Sequence, residues 1–407
     1  MATLLRLLFG LPLVALLLAA GGLLLALDER PATPPGAPPT AQDVARAKAL
    51  LARHDPRRLP PGRRGSLVLG QGEADLALAA LARYRPGLGA HLDLVATPPR
   101  LAASLPLAGG RWLNFSTELH AAETGIALRK LRLGRLPIPD AWAAWVLAQA
   151  RKRLLADPDW GPLLHSIEGV ALDQSGLRLT YRAPKGLPAH LGALLLPGDE
   201  VARLEHYHGQ LARTLQAAPA SLPLPRLLAP LFAEVAAWGG QPEEARAALA
   251  VLGLHLAGRG LAALVPAAKD WPKLPRRTVT LAGRGDSAQH WAASALLAAA
   301  AGSPLAEAVG LWKELADSQG GSGFSFADLA ADLAGTRAGE MLVGPQGPEL
   351  ASRLAAGLPE TAIVPRLAGL PEHLDQARFR ARYGGPGDPR FETLRQDIAR
   401  RVADLPM

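Results

Sequence analysis

The side chains most able to do chemistry are concentrated between positions 278 and 340. Asp286 and His290 stand four residues apart, which on a helix places them on one face. Glu307, Glu314 and Asp317 follow on a second helical stretch, and Asp328 and Asp332, again four apart, on a third. An imidazole and several carboxylates brought together from three packed helices can ligate a hard or borderline metal, or share protons in acid–base catalysis. The catalytic candidates are therefore His290, Asp286, Asp328 and Asp332, and the candidate metal ligands His290, Glu314, Asp328 and Asp332. The residues do not specify which cofactor, if any, they hold. A structural reading uses the same positions. Asp286 with Gln289, and Ser325 with Asp328, match capping boxes, in which side chains satisfy free helix-end amides. Glu307, Glu314 and Asp317 can form a solvated face, and His290 can hydrogen-bond Asp286 in a closed core. Convergence of the three helices separates the two readings.

The elements that must position these groups read as a bundle. Beyond His290 the helix continues through Ala292–Ala301, nearly all alanine and leucine with Ser294 the only polar residue, and a helix apolar on every face belongs inside a core. Periodicity and helix-start prolines predict helices over Asp199–Ala217, Pro225–Ala237, Pro242–Leu256, Asp286–Ala301, Pro304–Asp317, Phe326–Arg337, Glu372–Tyr383 and Phe391–Asp404, with a short strand at Thr278–Leu281. Residues 65–185 read as β-rich. In Arg111–His120, Leu113, Phe115, Thr117 and Leu119 alternate with Asn114, Ser116, Glu118 and His120, the period of a half-buried strand. His91–Thr97, Ile126–Leu133 and the stretch through Leu177, Leu179 and Tyr181 join the same sheet. Two helices, Glu73–Tyr84 and one after Pro139, accompany it; the second is expected to pack Trp142, Trp145, Val146 and Leu154 on the sheet. The predicted fold class is α+β: an N-terminal transmembrane helix, an antiparallel β-rich domain with packed helices, then a mainly α-helical C-terminal half. The predicted divisions are 1–30, an anchor; 31–64, a proline-rich linker and short basic helix; 65–190, the β-rich domain; 191–345, the helical domain with the Asp/His/Glu cluster; and 346–407, a C-terminal helical segment.

Composition narrows the function classes. Of 407 residues 49% are hydrophobic and 20% charged, which suits a folded chain. The net charge of +8 comes mostly from arginine, only seven of the 44 basic residues being lysine, and no basic run is interleaved with aromatics as base stacking requires. A nucleic-acid partner is not expected. The absence of cysteine excludes disulfides, thiol nucleophiles, cysteine-ligated zinc and a lipidated N-terminal cysteine. From Leu7 to Leu27 no residue is charged, and as a helix this run spans roughly 30 Å, the thickness of a bilayer core. Ala19, Ala20 and Gly21 also fit a cleavage site, but Leu23, Leu24, Leu25 and Leu27 carry the apolar run past the usual signal-peptide length. The expectation is a single-pass anchor in a bacterial inner membrane through residues 7–27, with the body in the periplasm and a lipid, glycan or envelope protein as partner.

Other signals carry less. Gly285-Asp286-Ser287 after a short strand resembles the nucleophile block of GDSL-type esterases, yet neither downstream histidine, His290 or His373, has an aspartate three residues before it. Gly320–Gly323 precedes a helix, but no Gly-Lys-Ser/Thr follows, so a nucleotide P-loop is unsupported. His206 and His208, at i and i+2 on a helix, point to different faces and are not expected to share a metal.

Two resemblances add to this reading. Asp286-x-x-x-His290-Trp291, then Glu314 and Asp317, then Gly323-Phe324-Ser325-Phe326-x-Asp328-Leu329-x-x-Asp332-x-x-Gly335, resembles the YfiM-like family of bacterial envelope proteins over about 55 residues. That family usually has lysine where this chain has Ser287, and a lipidated cysteine that is absent here. The resemblance implies an envelope location and nominates His290, Asp286, Asp328 and Asp332 without assigning a reaction. Leu133-Gly134-Arg135-Leu136-Pro137-Ile138-Pro139, between a strand pair and a helix, is similar to the YpmS-like family of membrane-anchored proteins, which implies architecture rather than chemistry.

Overall fold

The computed structural model describes residues 25–34, 40–53, 62–82, 87–122, 125–156, 161–173, 176–182, 198–263, 265–301, 303–319 and 322–407, which divide near residue 190 into two compact units. The mixture of helices and antiparallel sheets expected from the periodicities is present. No described helix is long and apolar enough to cross a membrane, and the uncharged run at 7–27 lies mostly outside the described residues.

As far as residue 182 the chain runs through β1 (Leu27–Asp28), α1 (Ala41–Arg53), β2 (Arg64–Leu69), α2 (Gln71–Ala82), β3 (Gly89–Asp93), β4 (Arg100–Pro106), β5 (Trp112–Ala122), β6 (Gly125–Leu133), β7 (Leu136–Pro137), α3 (Asp140–Ala156), α4 (Gly161–His165), β8 (Ile167–Asp173) and β9 (Gly176–Arg182), all in the first unit except the first five residues of α1, 41–45. Strands β3-β4-β5-β6-β7 form an antiparallel meander to which β1 adds on β5, while β2-β9-β8 form a second sheet rather than extending the first. The alternation in β5 departs from expectation at Asn114, which is buried. Residues 28–33 cover it: its Oδ1 accepts from the Ala32 N–H (2.9 Å) and from Ser104 Oγ (2.6 Å), and its Nδ2 donates to Asp28 Oδ2 (2.8 Å) and the Arg30 carbonyl (3.0 Å). A buried amide with every group bonded is tolerated where an unpaired one is not. The expected packing of Trp142 and Trp145 on the sheet is overturned: they are 68% and 63% exposed. Helix α3 turns Ala143 inward instead, and at 100° per residue positions one before and two after it point elsewhere.

The second unit is helical: α5 (Gly198–Ala217), β10 (Ser221–Pro223), α6 (Pro225–Ala237), α7 (Pro242–Leu256), β11 (Thr278–Thr280), α8 (Gly285–Ala301), α9 (Ser303–Ser318), α10 (Phe326–Val343), α11 (Gly347–Ala355), α12 (Glu360–Ile363), α13 (Gln376–Tyr383) and α14 (Pro389–Ala403). Proline at the first turn starts α6 and α7, where its missing N–H costs nothing. One continuous apolar core links α5 to the C-terminus, taking Leu204, Tyr207, Leu211 and Leu215 from α5 and Phe391, Ile398 and Val402 from α14, so residues 346–407 share the core of 191–345. Helix α8 crosses this core on α10 at backbone contact distance. A Cβ on Gly335 would lie 2.1 Å from the Trp291 carbonyl oxygen, and one on Gly339 2.2 Å from that of Ala295. An aromatic cluster secures the start of α10. Phe324 stacks on Phe379 with centroids 4.2 Å apart, Phe326 meets Tyr383 at 4.8 Å, and Phe391 touches both Phe324 and Phe326. Because α10 carries two of the candidate aspartates, this cluster sets where they begin.

Candidate functional site

His290 leaves the first turns of α8 on the side facing α9 and α10, and it is buried. Its Nδ1 donates to Asp332, with both carboxylate oxygens at 3.1 Å, and Ser294, one turn further along α8, donates its hydroxyl to Asp332 Oδ1 at 2.7 Å. The carboxylate acceptor holds the ring hydrogen on Nδ1, so the Nε2 lone pair faces the opposite way. There it meets Glu314 Oε1 at 3.9 Å and Asp328 Oδ2 at 3.8 Å. One ligand atom from each of His290, Glu314 and Asp328 lies within 4.8 Å of the other two, and all three residues are buried. Ligand atoms about 2.0–2.2 Å from one ion fit within such separations.

The structure's own cation at this point is Lys313. Its ammonium donates to His290 Nε2 (3.0 Å), Asp317 Oδ2 (2.9 Å) and Glu314 Oε1 (3.4 Å), on a side chain that is half exposed. The other Glu314 oxygen accepts from the Ser325 backbone N–H at 3.0 Å. Ser325 caps α10, its hydroxyl accepting from the Asp328 N–H at 3.1 Å. The box expected at Ser325 is thus completed by a carboxylate from another helix, not by Asp328. That leaves the Asp328 side chain free to turn into the cluster, where its Oδ1 is buried without a hydrogen-bond partner, 3.5 Å from an Arg284 nitrogen.

Burial raises the Glu314 carboxyl to a pKa of about 7, against which Lys313 and His290 act only partly. Burial likewise raises Asp328. For His290 burial opposes the charged ring, but the bond to Asp332 and the nearby carboxylates prevail and raise it. Two carboxyls and one imidazole in a small buried volume therefore keep their protons to higher pH than in water, an arrangement that suits proton sharing or the substitution of protons by a cation. The cluster is not sealed. A cavity of about 370 Å³ opens on His290, Asp332, Ser294 and Lys313, with Leu297 and Val309 on its apolar wall and Arg259 beside them. That volume is within the range of small-molecule sites.

Asp286 lies apart from this group. It forms a two-pronged ion pair with Arg284 (Nε–Oδ1 3.1 Å, Nη2–Oδ2 2.7 Å) and accepts from the Ser287 N–H rather than capping through Gln289. His290 accordingly bonds Asp332 and not Asp286. Arg284 also binds the Glu372 carboxylate, joining the start of α8 to the loop before α13. Glu307 is exposed on α9, and Ser287 is fully buried with an unpartnered hydroxyl, so no base activates it. His206 and His208 diverge as their spacing requires, to Glu234 and to the Pro272 carbonyl.

Three participants escaped the sequence reading. Lys313 and Ser294 carried no motif of their own, although Ser294 stands out as the one hydroxyl in an alanine run. Gly310 is the third: a Cβ there would lie 2.9 Å from Asp332 Oδ2, so only glycine lets α9 approach that carboxylate. Its position, one turn before Glu314 on the same face, is the signal that marks it. Comparison of the chain with family models, with curated proteins and with solved structures finds no match in any of the three.

Proposed function

We propose that the helical unit is a hydrolytic module that binds one divalent cation through His290 Nε2, Glu314 and Asp328, with Asp332 orienting the imidazole. The observation that carries this reading is the buried ligand triad whose histidine has its second nitrogen held by a carboxylate, the outer-shell arrangement that fixes metal-bound histidines. Asp328 Oδ2, 3.8 Å from His290 Nε2, and the Glu314 carboxylate once its proton is displaced both supply anionic capacity that a cation would use. Lys313 holds the cation position through a half-exposed side chain, which has room to swing toward solvent. Held there by His290, Glu314 and Asp328, a cation would supply a water of lowered pKa. Lys313, which borders the cavity, would then be placed to supply a positive charge for an oxyanion.

The test is calorimetric titration of the detergent-solubilised full-length chain with Mn²⁺ and Zn²⁺. One ion per chain is expected, with binding abolished in His290→Ala. Asp332→Asn keeps the three ligands but weakens the orienting bond, and is expected to cost about 10- to 100-fold in affinity. Wild-type protein that takes up neither ion overturns the reading.

A second reading concerns the β-rich unit. A groove of about 520 Å³ runs over β4, β5 and β6, with Leu101, Leu131 and Ile138 beside Arg100, Lys130 and Arg132. Glu118 also lines the groove and pairs with Lys130 at 3.1 Å, which leaves Arg100 and Arg132 as its cations unmatched by a carboxylate among the described residues; an apolar floor with these two charges suits a lipid, a glycan or an envelope protein segment. Together with the uncharged run at 7–27, this supports a body anchored at a bacterial inner membrane that binds an envelope component. Native mass spectrometry of the purified chain is expected to show such a ligand retained in His290→Ala and lost in Leu131→Asp. A bare mass in all forms counts against it.

A further inference from the structure

A second cavity in the helical unit, about 380 Å³, has no part in the cluster around His290. It lies where α7 ends and the chain passes through the segment 266–276. Arg259, Lys269, Lys273 and Arg276 border it, and none of its lining residues is acidic. Among the described residues these four side chains have no ion-pair partner, whereas most other arginines of the unit are matched to a carboxylate or a carbonyl oxygen. The nearest acid in sequence, Asp270, is exposed and outside the lining. Four like charges around one concavity repel one another unless an anion joins them.

The local backbone explains how they gather. Gly258, at φ +67°, ends α7, with the Arg259 N–H bonded back to the Leu254 carbonyl at 2.8 Å. This left-handed C-cap reverses the chain and places Arg259 at the rim. Trp271 packs against the His208 ring of α5, with centroids 5.2 Å apart, and holds the lysine-bearing segment on the core.

His208 supplies the independent observation. It borders the cavity, is 7% exposed, and donates through Nε2 to the Pro272 carbonyl at 2.7 Å. That bond leaves Nδ1 as an acceptor, and Nδ1 is buried with no partner. A buried acceptor beside a cluster of cations calls for an anion that also carries a hydrogen to donate. Inorganic phosphate keeps a hydrogen throughout the neutral range, and a phosphate monoester, with a second pKa of about 6, does so in its singly ionised form; sulfate does not.

We propose that this cavity is a binding site for a phosphate or phosphate-monoester group, held by Arg259, Lys269, Lys273 and Arg276, with its P–OH donating to His208 Nδ1. The inference is independent of the metal reading, since none of these residues touches the His290 cluster; only Arg259 also borders the cavity there.

The experiment is calorimetric titration of the full-length chain with sodium phosphate, glucose 6-phosphate, soluble short-chain phosphatidate and sodium sulfate at constant ionic strength. At least one phosphate ligand is expected to bind with an affinity at least tenfold above sulfate. The tightest of the three separates a free phosphate, a soluble ester and a lipid headgroup as the source. Lys273→Gln/Arg276→Gln is expected to weaken binding tenfold or more, while Arg380→Gln/Arg382→Gln, on the exposed face of α13, leaves it unchanged. His208→Phe is expected to erase the preference over sulfate while retaining part of the affinity. Absence of phosphate binding, equal binding of sulfate by the wild type, or equal weakening in the α13 control overturns the proposal, and circular dichroism of each variant excludes loss of folding as the cause.

Discussion

Cation affinity of the full-length chain is expected to rise about tenfold per pH unit between pH 5 and 7, and to level off above that range. The reason is the proton on Glu314. Its carboxyl titrates near 7 in the folded chain instead of at the ordinary 4.5, because burial disfavours its charged form. A cation must displace that proton to use the carboxylate, and each proton released adds one decade per pH unit below the pKa. The His290 pKa is raised in the same direction, so a second proton can steepen the slope. Without a cation the sign for stability is the reverse. Between about pH 4.5 and 7 the folded chain keeps a proton that the unfolded chain has released, so Glu314 makes stability fall as pH rises through that window. Calorimetric affinities at several pH values, beside urea melts of the cation-free chain, measure both trends. An affinity independent of pH removes Glu314 from the ligand set. Glu314→Gln, which cannot ionise, is expected to abolish the stability trend together with most of the affinity.

The second large effect is expected from one methyl group. Gly335→Ala places a Cβ 2.1 Å from the Trp291 carbonyl oxygen, a backbone atom in the middle of a helix that cannot step aside alone. Helices α8 and α10 must separate, and α8 carries Trp291, which is fully buried and bonded through its indole N–H to the Ile363 carbonyl at 2.9 Å. Overpacking of this kind costs about 1–3 kcal/mol and sometimes more. It also moves His290 relative to Asp328 and Asp332, which α10 presents. Thermal unfolding is expected to shift down by several degrees, with cation affinity reduced beyond what the stability loss accounts for. Gly310→Ala makes the useful contrast. Its added methyl meets only the Asp332 side chain, so binding is expected to suffer more than stability. Equal melting of Gly335→Ala and wild type would show that the two helices have slack.

Much of the helical unit was legible from local signals. The extents Pro225–Ala237 and Pro242–Leu256 follow from a first-turn proline and an apolar stripe, and they are the observed ones. Elsewhere local signals failed. Helix α10 runs to Val343, six residues past the expected Arg337, because Gly335 and Gly339, poor helix formers in isolation, are held by contact with α8. The expected helix from Glu372 begins only at Gln376, since Glu372 is taken by Arg284 and Leu374 is bridged to Phe324. In the β-rich unit, alternation located β5 and gave Asn114 to its polar face, but that face is covered there, because no periodicity announces that a segment 82 to 86 residues earlier will pack on it.

For the site, the inventory is local: a histidine, four carboxylates and the four-residue spacings that put Asp286 with His290 and Asp328 with Asp332 can be read along single helices. Which of them meet was decided by tertiary structure alone. Spacing points to Asp286, one turn before His290, as its partner, yet Arg284 claims that carboxylate, and glycines at 310 and 335 let Asp332 approach instead. The pKa of Glu314 is likewise unwritten in its neighbours along the chain. It follows from burial and from charges on two other helices, and both exist only once those helices have packed.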